Sequence, residues 1–349
     1  MSCLQKWKPI AVMVGVNFAM AVVNILFKKA LNGGMNQQVI TTYRLSTAAV
    51  FLAPVACCRE RKSNKKLTAL TFCTLFFSAL TGGTLTQYLI LIGLKYTSST
   101  FSCAFINIVP INTFIMALIL RKEKINMNSK SGKAKVLGTI ICLGGALVLT
   151  LYKGTPLTKT TSKDVEAEHD VKNWVIGSLF LYAGSLAWSS WYHIQDRVGR
   201  EYPYQYSSTT IMSFLAAIQS AILCFIIERR TSIWKLKGAL EISTILYTGI
   251  VGSGICFVIM SWCVKQKGPV FTSAFSPFIQ IFAAILDVFL LHEQIHLGSI
   301  LGSILVVIGL YILLWGKCKE TEVCKNVPTA EKDGTILPVS ISPPGPLRT

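Results

Sequence analysis

A line of polar side chains runs through one of the most apolar stretches of the chain, residues 270–291. Ser273, Pro277, Gln280 and Asp287 recur there at spacings of four, three and seven residues, which places them on one face of a 3.6-residue helix. Polar groups are costly in hydrocarbon unless they face protein, water or a ligand. The spacing therefore predicts a helix face that binds a polar partner inside an apolar environment.

Three other apolar stretches carry similar stripes of polar or aromatic side chains. Together with the first stripe they are enough to line a central cavity between the helices. A plainer interpretation is that these groups form interhelical hydrogen bonds, which contribute about 0.6 kcal/mol on average. Pro110 and Pro277 are either simple kinks or residues that free backbone carbonyls for a cavity. The further stripes are Asn107, Pro110 and Phe114; Ser185, Trp188, Ser189 and Tyr192; and Asn17 with Asn24.

Four charged residues lie in or beside the apolar stretches. Arg44 lies five residues into its stretch, so it either extends to the membrane surface or binds an anionic group. Asp287 lies close to the end of its stretch, where it is either partly hydrated or a proton relay. Glu123 and Glu293 occupy matching helix ends, and we interpret both as structural locks at the helix turns.

One pattern known from metal sites occurs in the sequence, but it lies outside the apolar runs. His292-Glu293-Gln294-Ile295-His296 matches HExxH and forms the short hinge between two apolar runs, whereas the zinc-binding pattern lies on one helix. There is no GxSxG or Walker-type loop, so an ATP-driven pump is unsupported. Six of the eleven cysteines lie inside apolar stretches and no CxxC pair exists, which argues against zinc and disulfides. We predict no catalytic residue, no metal and no cofactor.

The composition predicts an all-α polytopic membrane protein. Hydrophobic residues make up 52% of the chain and charged residues 14%, and the mean hydropathy is +0.53. The net charge of +18 lies in short patches between apolar runs, as in membrane proteins, so no nucleic-acid partner is expected. The ten apolar runs, each long enough for a membrane-spanning helix, are 10–27, 39–57, 67–94, 101–120, 134–152, 174–194, 207–227, 242–263, 270–291 and 297–315.

The second half of the chain repeats the pattern of the first. Ten transmembrane helices therefore form two five-helix repeats, and because five is odd, the second repeat enters the bilayer inverted. We predict a first repeat over 1–152, a linker loop over 153–173, a second repeat over 174–317 and a disordered tail over 318–349. The matching positions, 170 residues apart or shifted by six, are Ala104-Phe105 and Ala274-Phe275, Glu123 and Glu293, Ile125 and Ile295, Leu137-Gly138 and Leu301-Gly302, and Gly145 and Gly309.

The distribution of lysine and arginine predicts that both termini lie in the cytoplasm. With that orientation the inside segments carry twenty of these residues and the outside segments carry eleven. Cytoplasmic loops of membrane proteins have such an excess. The basic segment 228–237 falls outside and is the exception.

Short motifs follow one another along the chain in a fixed order. In the first half they are Asn24-Ile25 with Lys28 and Ala30-Leu31, Tyr43-Arg44, Gly93-Leu94-Lys95-Tyr96-Thr97-Ser98, Asn107 with Pro110 and Thr113-Phe114, and Glu123-Lys124. In the second half they are Gly268-Pro269-Val270-Phe271, Phe275-Ser276-Pro277, Glu293-Gln294, and Gly309-Leu310-Tyr311 through Trp315-Gly316-Lys317. With these motifs the chain resembles the plant nodulin-like EamA transporters, the Walls-Are-Thin-related group also called UMAMITs, within the drug/metabolite transporter superfamily.

The resemblance implies a facilitator or exporter of small organic solutes, most often amino acids and in some members auxin or other metabolites. It implies a location in the plasma membrane, and in some cases in the vacuolar membrane. Two departures bear on the solute. Thr86 precedes Gln87 where the family usually has Asn, and Ile111 and Asn112 follow Pro110 where the family usually has Ala after the proline.

The resulting hypothesis is a carrier that works by alternating access, with a small solute and the lipid bilayer as its partners. A non-transporting membrane scaffold or sensor with the same fold is the alternative. Gly298-x-x-x-Gly302 allows close helix packing, either within one chain or in a homodimer. The candidate solute-binding residues are Asn107, Gln87, Trp188, Ser276, Gln280 and Arg44.

Overall fold

The fold is known from a computed structural model of the chain. It describes residues 3–60, 67–97, 99–122, 129–151, 171–227, 231–236, 238–291 and 297–326. Within these ranges the regular structure is entirely helical. Each of the ten predicted apolar runs coincides with helix, as expected from their length and apolar character.

The helices of the first half follow the predicted apolar runs closely. The third run is not uniform, because a π-helical segment separates α3 from α4. The helices are α1 (Cys3–Asn32), α2 (Gln37–Arg59), α3 (Ala69–Ala79), the π segment Leu80–Leu85, α4 (Thr86–Tyr96), α5 (Ser99–Ile119) and α6 (Lys130–Leu151).

The second half has a corresponding order of elements, with a longer π segment in the corresponding place. The helices are α7 (Val171–Glu201), α8 (Gln205–Ile227), a 3-10 turn Thr231–Trp234, α9 (Ala239–Tyr247), the π segment Thr248–Cys256, α10 (Phe257–Lys267), α11 (Pro269–Ser273), α12 (Pro277–Leu291) and α13 (Leu297–Asn326). Two boundaries differ from the predictions. The ninth run is broken into α11 and α12, and α13 continues beyond residue 317 to Asn326, because no glycine or proline interrupts residues 317–326.

Within the described residues, six helical stretches are long and apolar enough to cross a membrane. Large apolar side chains point away from the protein along these and neighbouring helices, for example Val50, which is 75% exposed, and Ile226, which is 68% exposed. A soluble protein would bury such residues, whereas contact with lipid acyl chains suits them. The six stretches are Trp7–Asn32, Gln37–Arg59, Ala69–Tyr96, Gln205–Ile227, Ala239–Lys267 and Pro269–Leu286.

Glycines bring α6 and α13 into backbone contact. A Cβ atom placed on Gly145 would lie 2.6 Å from the backbone nitrogen of Val306 and 2.9 Å from the carbonyl oxygen of Gly302. A Cβ atom on Gly138 would lie 2.7 Å from the carbonyl oxygen of Gly309. Gly138, the earlier of the two in α6, meets Gly309, the later of the two in α13, and Gly145 meets Gly302. The two helices therefore run antiparallel. We call this contact the glycine seam.

The central part of the core is aromatic and lies between α7, α8 and α10. Trp191 and Tyr192 are almost fully buried there and pack with Met212 and Phe257. The rings of Trp191 and Phe257 have centroids 5.3 Å apart in an edge-on arrangement, which is favourable for aromatic pairs. The large buried rings fix the position of α7, which carries much of the candidate site.

Replacing Gly145 with alanine should destabilise the protein, because the added methyl group collides with the backbone of α13. Overpacking of this kind costs about 1–3 kcal/mol. A matched control is Gly144→Ala, since a Cβ at Gly144 meets nothing within 4 Å. The control should gain helix propensity and be at least as stable as the wild type. Thermal unfolding of the purified proteins in detergent measures both; equal midpoints for the two variants would contradict the seam.

Candidate solute-binding site

Two of the predicted site residues, Asn107 and Gln280, meet in the interior. Asn107 on α5 is 2% exposed, and its Nδ2 donates a hydrogen bond of 2.8 Å to Oε1 of Gln280 on α12. The two residues are 173 positions apart and come from different halves of the chain. Their contact therefore brings together two of the stripes that the sequence indicated.

Prolines shape the backbone beside this amide pair. Pro110 lies inside α5 and has no N–H to donate, whereas Pro277 begins α12. The prediction that residues 270–291 form one continuous helix is wrong: the chain turns at residues 274–276, because the residue before a proline is disfavoured in a helix. Bonds between residues three apart replace the helical ones there, such as Ser276 N–H to the carbonyl of Ser273 at 3.0 Å.

The break removes Ser273 from the polar stripe and leaves Ser276 in the site. The Ser273 hydroxyl donates to the carbonyl of Val270 at 3.2 Å and its side chain is fully buried. Ser276 lies at the turn and interacts with the hydroxyl of Tyr192 on α7. Gln280 follows one helical turn later. The site is thus formed by the first turn of α12 and by the preceding turn, rather than by one long helix face.

Trp188 lies in an aromatic group next to Ser276. Its ring stacks on Trp191 at 5.2 Å and stands edge-on to Tyr192 at 6.2 Å, and the Tyr192 hydroxyl interacts with both Trp188 and Ser276. Tyr192 thereby links two predicted site residues. The sequence placed Tyr192 in the stripe of α7, one helical turn after Trp188, but the candidate set omitted it.

Polar contacts hold α5 against α7 along much of their length. Asn112 Nδ2 donates to Ser185 Oγ at 3.0 Å, and Ser189 Oγ donates to the carbonyl of Val109 at 3.1 Å. Ser185 and Ser189 were predicted as a stripe of α7. Asn112 had been noted only as a departure from the family pattern, and its partner could not be identified from the sequence.

The contact between α5 and α7 continues to the end of α5 through a buried carboxylate. Asp196, 5% exposed, accepts from Lys122 Nζ at 2.8 Å and pairs with Arg200 at 3.0 Å. The residue before Lys122, Arg121, has a left-handed φ of 53° that ends the helical geometry after α5. A buried carboxylate requires such partners. The predicted lock residue Glu123 follows Lys122 directly and lies outside the described residues.

The interior beside the amide pair is almost filled. A cavity of about 10 Å³, room for about one water molecule, lies against Asn107, Pro110, Thr139, Cys142 and Ala274. A solute of several non-hydrogen atoms requires a larger space. This cavity is too small to hold such a solute.

Gln87 and Arg44 lie apart from this group. Gln87 borders a second cavity of about 10 Å³ together with Gln38, Thr84 and Ser220. The half-buried Arg44 places its guanidinium carbon 6.0 Å from the ring centre of Phe27, and no acceptor among the described residues hydrogen-bonds to its Nε. The structure thus brings together four of the six candidate residues.

The remaining predicted residues divide into described and undescribed positions. Asn17 is buried and donates to the carbonyl of Met13 at 2.7 Å, whereas Asn24 is exposed, so the stripe of α1 does not face the amide pair as a unit. Asp287 lies in α12 but its side chain is not described, and Glu293 lies outside the described residues. Within the described residues no group of His, Cys, Asp or Glu has the arrangement of a metal site.

Known proteins match the chain over most of its length. The sequence profile of the EamA-like transporter family matches residues 7–151 and again residues 175–315. The chain belongs to the EamA-like transporter family. The double match confirms that an EamA unit occurs twice in the chain.

Similar proteins narrow the family assignment to one group of EamA-like transporters. WAT1-related proteins of Arabidopsis thaliana are 51%, 50% and 45% identical over 90%, 93% and 92% of this chain, and the alignments cover 88%, 92% and 89% of those proteins. The resemblance to the Walls-Are-Thin-related group is confirmed. A solved crystal structure of a protein with 17% sequence identity superposes with a TM-score of 0.62, covering 86% of this chain and 98% of that one, which shows that the fold is shared.

Family and structure together define the protein at a coarse level. It is a multi-pass membrane protein of a plant transporter family, with a small-molecule solute as the implied partner. Its helices place an amide pair, a serine and an aromatic group at the contact between the two EamA units.

Proposed function

We propose that this EamA protein is a secondary carrier that moves a small organic solute by alternating access, with an amino acid as the favoured solute. The observation that carries the proposal is the hydrogen bond between Asn107 and Gln280, which joins the two EamA units in the interior. Amide groups both donate and accept hydrogen bonds. They can therefore bind the ammonium and carboxylate groups of an amino acid when the two units separate.

The proposed architecture is ten transmembrane helices in two inverted five-helix repeats. The glycine seam supports it. In the repeat, Gly138 matches Gly302 and Gly145 matches Gly309. Across the seam, Gly138 contacts Gly309 and Gly145 contacts Gly302. Such reciprocal contact is characteristic of a two-fold axis. Helix packing agrees with a two-fold axis. In the repeat α1 matches α7 and α5 matches α12, and α1 packs on α12 while α7 packs on α5.

The aromatic group supports a binding surface for the rest of the solute. Trp188 is only partly buried, although it stacks on a fully buried ring, so one part of its indole is available to a ligand. Tyr192 adds a hydroxyl beside Ser276. An aromatic carboxylate such as auxin would use the same surface and belongs in any panel of test solutes.

Charge and resemblance support the remaining parts of the proposal. The excess of lysine and arginine on one side favours both termini in the cytoplasm. The resemblance to the Walls-Are-Thin-related group favours the plasma membrane, with the vacuolar membrane as the alternative.

Asn107→Ala and Trp188→Ala should each abolish solute flux without loss of surface expression. The first removes an amide at the contact between the units, and the second removes the indole beside Ser276. Uptake and efflux of a radiolabelled amino-acid panel and an aromatic acid, measured in proteoliposomes, test this expectation.

The matched control is Trp174→Ala, because Trp174 lies on the same helix near its exposed start. This variant should keep wild-type flux. Unchanged flux in both Asn107→Ala and Trp188→Ala would refute the proposed binding site. Absence of flux for every solute in the wild-type protein would favour the scaffold alternative.

Arg44→Gln should weaken transport of carboxylates selectively. A half-buried guanidinium whose buried Nε finds no acceptor among the described residues is suited to a carboxylate ligand. Loss of one charge-assisted hydrogen bond corresponds to about 1.5–3 kcal/mol, or about 10- to 150-fold in affinity. The measurement is the KM of an amino acid against the inhibition constant of its decarboxylated amine. An equal change for both compounds would show that Arg44 acts on folding or gating instead.

Asp287 carries the proposal that transport is coupled to protons. If it relays protons, uptake should fall as the external pH rises, and Asp287→Asn should remove that dependence. A series of uptake measurements at different external pH values, with wild type and variant side by side, decides the point. A flat response together with a normal Asp287→Asn variant identifies a facilitator without proton coupling.

A further inference from the structure

The five-residue helix α11 is buried along its whole length. Val270 and Phe271 are 3% and 6% exposed, and Thr272 and Ser273 are fully buried. The helix lies between α10, which ends at Lys267, and the turn that precedes α12.

Both ends of α11 are joints. Gly268 has φ 89° and ψ 168°, a backbone conformation that is essentially restricted to glycine. At the other end, residues 274–276 form a turn with hydrogen bonds between residues three apart, and Pro277 then starts α12. A segment between two such joints can rotate without unfolding its neighbours, because hinge motions are absorbed by a few residues.

One side of α11 closes against the first half of the chain. Val270 packs with Phe114 and Ala117 of α5. The α5 surface is a firm support, because hydrogen bonds and the Lys122–Asp196 ion pair hold α5 to α7.

The other side of α11 shares a cluster with a cysteine. Phe271 belongs to a buried apolar cluster that includes Met13 of α1 and Cys263 of α10, whose side chain is fully buried. Helix α11 thus contributes to the cluster that buries the Cys263 thiol.

Movement of α11 must act on the candidate site. Ser276 forms part of the second joint, and Gln280 lies one helical turn beyond it. These residues contact Tyr192 and Asn107, respectively. Displacing α11 therefore pulls on the contacts that close the interior.

We propose that α11 is a hinged plug that swings on Gly268 and on the 274–276 turn, opening a path from one membrane face to the Asn107–Gln280 pair. Its role as a gate depends on the proposed carrier function. With both termini in the cytoplasm, the path opens to the cytoplasm.

Gly268→Ala tests the plug, with Cys263 as a built-in reporter. Alanine disfavours the φ of 89° that the docked position requires, so the population with α11 displaced increases. Labelling of Cys263 by N-ethylmaleimide should become at least about tenfold faster, a change equivalent to about 1.4 kcal/mol. The assay uses the full-length protein in liposomes without solute and follows each cysteine by mass spectrometry.

The matched control is Gly34→Ala. Gly34 also has a positive φ of 89°, and a Cβ atom at either glycine meets nothing within 4 Å, so both substitutions strain the backbone without a steric clash. Gly34 connects α1 and α2 and should leave Cys263 labelling at the wild-type rate. Cys224, fully buried on α8, reports general unfolding and should stay unlabelled in both variants.

Val270→Ala provides a second variant that does not alter the backbone. It removes the contact with Phe114 and Ala117 and should also accelerate Cys263 labelling. Wild-type rates in both α11 variants, or labelling of Cys224 in parallel with Cys263, would overturn the plug. Because no solute is needed, faster Cys263 labelling alongside unchanged flux in both Asn107→Ala and Trp188→Ala would support the plug as a hinge and overturn the carrier site.

Discussion

A polar side chain buried among apolar helices must find a partner, and in this chain the partner often comes from the other half. Asn107 bonds to Gln280, Asn112 to Ser185, and Lys122 to Asp196. The two amide contacts would be costly to leave broken in a hydrocarbon surrounding. The candidate site therefore lies on the interface between the halves, and on the proposed function a solute that offers equivalent hydrogen bonds takes the place of the protein's own.

These contacts differ in how firmly they are held. The contact between α5 and α7 combines hydrogen bonds with a buried carboxylate, whereas α11 and the start of α12 are connected through a glycine and a proline turn. On the proposed plug motion, the firm wall stays in place while the jointed one moves. The aromatic group of Trp188, Trp191 and Tyr192 lies on α7, in the firm wall.

Much of the fold could be predicted from the sequence, because apolar runs and their periodicity depend only on neighbouring residues. The stripes also identified Asn107, Gln280 and Trp188, and Ser276 came from the motif Phe275-Ser276-Pro277. Periodicity indicates a face but not its partner, so the separate positions of Gln87 and Arg44 and the linking role of Tyr192 required the structure. The break before Pro277 had a visible signal, yet a proline kink and a full interruption look alike in a sequence. The left-handed backbone of Arg121, next to the ion pair of Lys122, is not revealed by residue type alone.

The glycine seam has a consequence for how such a chain could arise. Gly138 touches Gly309 and Gly145 touches Gly302, so the positions used by one half are the matching positions of the other. On the proposed two-fold arrangement, a separate five-helix protein could make the same contact with a second copy of itself, provided that the copies entered the bilayer in opposite orientations. Joining two such copies head to tail would then have required a connecting segment and no new interface.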